Sequence, residues 1–293
     1  MGRLALIDGT AFPPEQAKVS VYDRGFLYGD SVFETLRTYG GKLFAAPEHF
    51  ARLAHSAAEV GMTLPVSQGE LAAEVERALG LAGNPDSMVR IVISRGAGPL
   101  GLDPTLAPTP LRVVLVEPLR LPPAAHYQHG VRAACVQTVR ASDAAEGAKV
   151  GNYLASVLAH RVAKERGADE ALIVDREGRV VESTTANLFA VEGGVLVTPA
   201  LEAGILAGVT RALVLELARS LGLVVRFDRL TPEALAACEE IFLTSTIREI
   251  LPVVAVDGRA VGTGQPGPVT RRLHLALRAR VGLAAAPPPW AAG

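Results

Sequence analysis

Apolar positions along the chain recur at two spacings, near two and between three and four, and the switches between them mark out elements. "LALIDG" and "VFETLRTYGGKLF" read as short strands, the second folded back on itself at "YGG". "PEHFARLAHSAAEVG" reads as a helix opened by Pro47, with Phe50, Leu53, Ala54 and Ala57 on one face and Gly61 at its end. A second helix, "SQGELAAEVERALGLAG", leads into two β-rich runs, "VRIVISRG" and "LRVVLVEPL". The segment "LRLPPAAHYQHG" is rich in proline and has no period, so it is expected to be a linker.

Beyond it a helix follows Lys149, with Leu154, Val157, Leu158 and Val162 on one stripe. Strands are expected at "EALIVD", "NLFAVEGG" and "VLVTPA", with turns at "REGR" and "EGG". Then come a helix, "TRALVLELARSLG", closed by Gly222, a strand, "EEIFLTST", and a last helix, "PVTRRLHLALRARVG". The closing "AAAPPPWAAG" reads as a disordered tail with Trp290 as a passenger. The class is α+β or mixed α/β. The expected division is a small N-terminal domain at 1–118, a linker at 119–130, a large domain at 131–283 and a tail at 284–293.

Composition narrows the function classes. At 293 residues, with 49% apolar and 20% charged, the chain suits two soluble domains. A net charge of −1 gives no reason to expect nucleic acid or an acidic membrane as partner. No run is long and apolar enough for a membrane span, and the first residues show no secretory pattern. Cys135 and Cys238 match no disulfide or metal spacing and fit a reducing cytoplasm. His126 and His129 have no third ligand nearby, so no metal site is expected. Phosphate-loop, dinucleotide, zinc-protease and nucleophile-elbow patterns are absent.

One residue stands out by its type. Only four of the 29 basic residues are lysines: Lys18, Lys42, Lys149 and Lys164. Arginine cannot lose its proton and attack a carbonyl; lysine can. Lys149 lies between the small polar run "ASDAAEG" and the helix, which makes it the candidate nucleophile.

From Lys149 to Ala218 the chain resembles the core of the fold-type IV pyridoxal phosphate enzymes. These are the class IV aminotransferases: branched-chain aminotransferases, D-amino acid aminotransferases and aminodeoxychorismate lyases. The resemblance extends upstream to "DRGFLYGDSVFETLRTYGGKLFAAPEHFARLAHSA" and downstream to "EIFLTSTIREILPVVAVDGRAVGTGQPGPVTRRL", with the motifs in family order. It implies a two-domain, D-amino acid aminotransferase-like fold and pyridoxal 5'-phosphate as cofactor.

Residue roles follow from the same resemblance. Lys149 matches the lysine that holds the cofactor as a Schiff base and then moves a proton. Tyr153, four residues on, matches the tyrosine at the cofactor's phenolic oxygen, on the same helical face. Glu182 in "VVESTTANLF" matches the glutamate facing the pyridine nitrogen, with Asn187 ordering its loop. Arg52 matches the phosphate-binding arginine. Val209 and Thr210 of "GVTR" would add helix N-terminal N–H groups, and Ser245 and Thr246 of "TSTIRE" a turn.

For the substrate, Arg90 matches a carboxylate-binding arginine, while Met88 stands in place of the tyrosine of that motif. Tyr28 and Phe33 match pocket residues, Thr35 replaces a usual glycine, and Ile247 completes the set. The segment "GPLGLDP" lacks the Arg-x-His pair of D-amino acid enzymes. The resemblance therefore implies transamination of a hydrophobic, branched-chain L-amino acid with 2-oxoglutarate. The alternative is a lyase releasing pyruvate and 4-aminobenzoate from 4-amino-4-deoxychorismate; a D-amino acid or amine transaminase comes third. Partners would be the amino donor and 2-oxo acid acceptor, in a cytoplasmic homodimer or larger homo-oligomer whose active site lies between domains and is closed by a second subunit.

Overall fold

The computed structural model describes residues 2–138, 145 and 147–291. The chain divides into two compact units, Met1–Arg120 with Ala144–Tyr153, and Leu121–Asp143 with Leu154–Gly293.

The first unit contains β1 (Leu4–Ile7), β2 (Thr10–Phe12), α1 (Arg24–Tyr28), β3 (Ser31–Tyr39), β4 (Lys42–Leu43), α2 (Ala46–Glu59), α3 (Gln68–Ala82), β5 (Ser87–Ser94) and β6 (Leu111–Pro118). Among the described residues the strands form one antiparallel sheet, ordered β2-β1-β6-β5-β3-β4. Alternation sorts its faces. Val32 and Leu36 of β3, Val89, Ile91 and Ile93 of β5, and Val114 and Val116 of β6 are buried under α2 and α3. Each such side chain taken wholly from water stabilises by about 1.5–3 kcal/mol. The helices answer with Phe50, Leu53 and Ala57, and with Leu71, Val75 and Ala78; Ala54 is only half-buried, at the edge of that face. Ser67 and Glu70 form a reciprocal capping box that fixes where α3 starts. The other face of β3 and β5 carries Phe33, Thr35, Met88 and Arg90.

The second unit contains α4 (Ala124–Gln128), β7 (Val131–Gln137), α5 (Leu154–Glu165), β8 (Glu170–Val174), β9 (Val180–Ser183), β10 (Asn187–Glu192), β11 (Val195–Thr198), α6 (Val209–Ser220), β12 (Val225–Phe227), α7 (Pro232–Ala236), β13 (Glu240–Ser245), β14 (Glu249–Val256), β15 (Arg259–Ala260) and α8 (Pro268–Arg280). Its strands run β12-β11-β10-β13-β14-β7-β8-β9, with β15 on β14. Because β9 also meets β10 at Glu182 and Asn187, β10, β13, β14, β7, β8 and β9 close into a barrel. Leu188, Ala190, Ile241 and Leu243 belong to one core cluster, while the alternate Phe189, Val191 and Phe242 pack with residues of α6 and α8. Phe189 and Phe242 stack with centroids 5.1 Å apart.

Four features depart from the sequence reading. The expected linker at 119–130 carries α4, whose Tyr127 is buried, because its tyrosine and apolar flank give it a core to join. The residues around Lys149 belong to the first unit and not to a 131–283 domain, and most of the "ASDAAEG" run lies outside the described residues. Helix α5 turns its small Ala159 and Ala163 to the barrel, since alanines allow close approach, and leaves Leu154, Val157 and Leu158 at 64%, 61% and 42% exposure. The 284–293 tail, described as far as Ala291, is not a passenger: Trp290 packs on the barrel core, 5.1 Å from the His274 ring.

Candidate active site

In the first unit Lys149 is strapped to the edge of β3 by its backbone. Val150 bridges Val32, Phe33 donates its N–H to the Lys149 carbonyl at 3.0 Å, and the Lys149 N–H reaches Ser56 Oγ at 3.0 Å. Gly151 donates to the Ser31 carbonyl at 2.7 Å. A Cβ there would stand 2.0 Å from Ser31 Oγ, so the close approach requires glycine. These bonds keep 148–153 out of any helix, which starts only at Leu154. Lys149 and Tyr153 therefore do not share a helical turn, yet Nζ and Oη lie 3.4 Å apart.

Around this amine the open face of β3 and β5 supplies the rest. The ammonium sits 4.6 Å from the Phe33 ring centroid, and Tyr153 meets the same ring edge-on at 5.1 Å. The Arg90 guanidinium stacks on Phe33 at 4.1 Å. Burial pushes Arg90 below its ordinary pKa, and the Tyr153 phenol works the other way. No carboxylate pairs with Arg90 among the described residues. Thr35 stands directly opposite Arg90 in the sheet, and Met88 lies two residues along on the same face. Tyr28 sits apart from this group: its hydroxyl accepts from the Gly101 N–H at 3.2 Å, and its ring takes Arg24 at 5.1 Å.

Arg52 occupies α2 beneath the sheet. Its Nε and Nη2 donate to the two oxygens of Glu34 at 2.6 and 2.8 Å, and His49 Nδ1 is 2.7 Å from Glu34 Oε2. Burial alone would raise the Glu34 pKa; hydrogen bonds from Arg52 and His49 overcome it and bring the carboxyl down to about 2. Sequence reasoning missed Glu34 and His49. The available signal was an acid at an inward position between Val32 and Leu36, facing a helix with His49 and Arg52 three residues apart.

In the second unit the seam that closes the barrel carries Glu182. Its Oε2 accepts from the Leu206 N–H at 3.2 Å and from Asn187 Nδ2 at 3.4 Å, and Asn187 also donates to the Leu206 carbonyl at 2.9 Å. Gly208, the residue before α6, leaves room for that amide: a Cβ would lie 1.9 Å from Asn187 Oδ1. No side chain caps α6, so the N–H groups opening it at Val209 and Thr210 are available to an anion. The Thr210 hydroxyl is buried there with no partner among the described residues. Behind it Arg211 is pushed down in pKa by burial, while Glu202 and Glu182 favour its charge.

The turn between β13 and β14 holds Ser245, Thr246 and Ile247. Arg248 reaches back to Ser245 Oγ at 3.2 Å and out to Glu170 and Thr185 Oγ1, both at 2.7 Å. Each unit carries residues that fit part of a phosphorylated pyridine aldehyde: in the second, an uncapped helix start with an unpartnered hydroxyl suits the phosphate and an oriented carboxylate suits a pyridine nitrogen; in the first, an amine beside a phenol suits the aldehyde end. The orphaned Thr210 hydroxyl is the observation that asks for a ligand.

Comparison with known proteins agrees with a cofactor-dependent enzyme of this class. The amino-transferase class IV model matches residues 31–256. A Methanocaldococcus jannaschii protein assigned as a branched-chain-amino-acid aminotransferase is 39% identical over 269 residues, covering 91% of this chain and 92% of its own. The D-alanine aminotransferase of Bacillus licheniformis is 33% identical over 273 residues, covering 93% and 95%. Among solved structures, a T.th. branched-chain amino acid aminotransferase complexed with N-(5'-phosphopyridoxyl)-L-glutamate superposes with a TM-score of 0.89 at 32% identity, covering 99% of this chain and 97% of that one. The chain belongs to the class IV aminotransferases, and its fold is that of the fold-type IV branched-chain enzymes. It is a branched-chain-aminotransferase-like enzyme that uses pyridoxal 5'-phosphate.

Proposed function

We propose that the enzyme moves the amino group of a hydrophobic, branched-chain L-amino acid to 2-oxoglutarate, with Lys149 as the covalent anchor and proton carrier. The observation that carries this reading is Arg90. It is a half-buried guanidinium without a carboxylate partner among the described residues, stacked on the Phe33 ring that also takes the Lys149 ammonium. A planar fork in that position suits the carboxylate of an amino acid. Phe33 and Met88 beside it offer an apolar wall to the donor's side chain, and Thr35, opposite Arg90 in the sheet, shapes selection. The acceptor reading is supported by the glutamate adduct carried by the T.th. neighbour.

When bound, the cofactor supplies an electron-accepting ring that stabilises negative charge on the substrate α-carbon. The chain's own residues do the rest. Lys149 would hold the aldehyde end, and its amine, 3.4 Å from the Tyr153 hydroxyl, would carry the proton of a substrate α-carbon. Tyr153 would hold the phenolic oxygen. Glu182, oriented by Asn187 and the Leu206 N–H, would keep a proton on the pyridine nitrogen. Arg52, the N–H groups of Val209 and Thr210, and the hydroxyls of Thr210, Ser245 and Thr246 would hold the phosphate.

The enzyme works in the cytoplasm as a homodimer or larger assembly. The free Cys135 and Cys238 support the compartment, and the exposed Leu154, Val157 and Leu158 support the assembly. A second reading, a D-amino acid transaminase, draws support from the D-alanine aminotransferase relative. Single-turnover bleaching of the cofactor band against L-leucine, L-valine, D-alanine, an aryl-ethylamine and 4-amino-4-deoxychorismate decides between them. Fastest turnover is expected with L-leucine or L-valine; D-alanine outpacing both sinks the L-specific reading, and pyruvate release from the chorismate derivative installs the lyase.

A further inference from the structure

Glu249 directly follows a three-residue hairpin loop. Ser245 and Glu249 pair across it, leaving Thr246, Ile247 and Arg248 as the turn. In such loops the residue after the turn adopts the left-handed conformation, and glycine is the usual choice. Here the position has φ +59° and is occupied by a buried glutamate. A left-handed backbone at a residue other than glycine is strained, so something holds it there.

What holds it lies in α8 and the residues after it. His274 Nε2 is 2.7 Å from Glu249 Oε2, and Arg278 Nη1 donates to the same oxygen at 3.4 Å. Arg278 Nη2 in turn donates to the Pro287 carbonyl at 3.1 Å. The His274 ring lies between two aromatics, Trp290 at 5.1 Å and Tyr127 at 5.7 Å. Tyr127 closes the circuit, its hydroxyl donating to the Arg248 carbonyl in the turn itself at 3.1 Å. The C-terminal side of the loop, at Arg248 and Glu249, is thus tied to one buried cluster, and Trp290 is its outer wall.

We infer that Trp290 is a positioning residue for the phosphate end of the cofactor. By packing on His274 it fixes the Glu249 carboxylate, and through Glu249 it holds the Ser245–Ile247 hydroxyls and N–H groups in the spacing a phosphate requires. An anion-binding turn must be set before the anion arrives, because ordering it on binding subtracts from affinity. The inference rests on the reading that Ser245 and Thr246 contact the phosphate.

The test compares the affinity of apoenzyme for pyridoxal 5'-phosphate with that for pyridoxal, which lacks the phosphate. The ratio of the two dissociation constants isolates the phosphate and does not move with a general loss of stability. Trp290→Ala is expected to lower this preference about tenfold, and Trp290→Phe to keep it within about twofold of wild type. Glu249→Gly, which relieves the backbone while cutting the tie, is expected to match Trp290→Ala and guards against a tryptophan variant that fails to fold. Thr246→Val reports on the underlying reading. If Thr246→Val loses the preference while Trp290→Ala and Glu249→Gly keep it, the positioning role is overturned and the phosphate reading stands. If Thr246→Val keeps it, the turn does not hold the phosphate, and the role of Trp290 falls with it.

Discussion

Glutamine at position 34 keeps the size of the side chain and removes the charge that Arg52 and His49 grip. The magnitude follows from the fall of the Glu34 carboxyl from 4.5 to about 2, which at 1.36 kcal/mol per unit is about 3 kcal/mol. The side chain is fully shielded from solvent, so screening does not reduce that figure much. The sign is set by a folded pKa below the unfolded one. The contribution is present in full above the unfolded carboxylate pKa of ~4.3, and is lost as pH falls towards 2. Urea unfolding of wild type and Glu34→Gln at pH 7, 5, 4 and 3 is the assay. At pH 7 the variant should be less stable by about 3–5 kcal/mol, the upper part reflecting an arginine left without its anion. The gap should be unchanged at pH 5 and shrink between pH 4 and pH 3. A gap under about 1 kcal/mol at pH 7, or one that stays constant down to pH 3, refutes the reasoning.

Glu182→Gln should still bind cofactor, while the rate of the first half-reaction falls about 100-fold or more; a wild-type single-turnover rate removes Glu182 from the chemistry. Arg90→Ala should raise KM for the amino donor about 10–100-fold with cofactor affinity unchanged, as expected for a lost charged hydrogen bond to a carboxylate. Unchanged KM would place the substrate carboxylate elsewhere. Val157→Asp on the outward face of α5 should lower the assembled mass in sedimentation without unfolding the protein; an unchanged assembly would free that helix of any partner.

The barrel is only partly legible in the sequence. Strands β8, β10, β11 and β13 announce themselves as apolar runs bounded by turn residues, and α2, α3, α6 and α8 by period and end signals. Strand β14 does not, because Pro252 sits inside "EILPVVAV" and a proline argues against a strand interior. It is tolerated where the pairing with β7 begins only at Val253 and shifts register before Ala255. The period of α5 is helical as expected, but its pattern points to the wrong face. Large apolar residues outrank alanines in any burial scale, and only the barrel's need for close approach reverses them. At the site, Lys149 is legible by its rarity and its motif. Its contact with Tyr153 is expected from a helical turn that does not form. Glu34 stays hidden because a carboxylate inside an apolar strand face shows its partners, Arg52 and His49, only once α2 packs on the sheet, and Trp290 because a proline-rich end reads as loose chain.

Lys149 as the covalent anchor is the claim on which the rest depends, and four lysines make it open to a clean measurement. Holoenzyme reduced with borohydride, digested and sequenced by mass spectrometry should carry the phosphopyridoxyl mass on the peptide containing Lys149, and Lys149→Ala should carry none. The mass on Lys18, Lys42 or Lys164, or undiminished labelling of Lys149→Ala, contradicts the account.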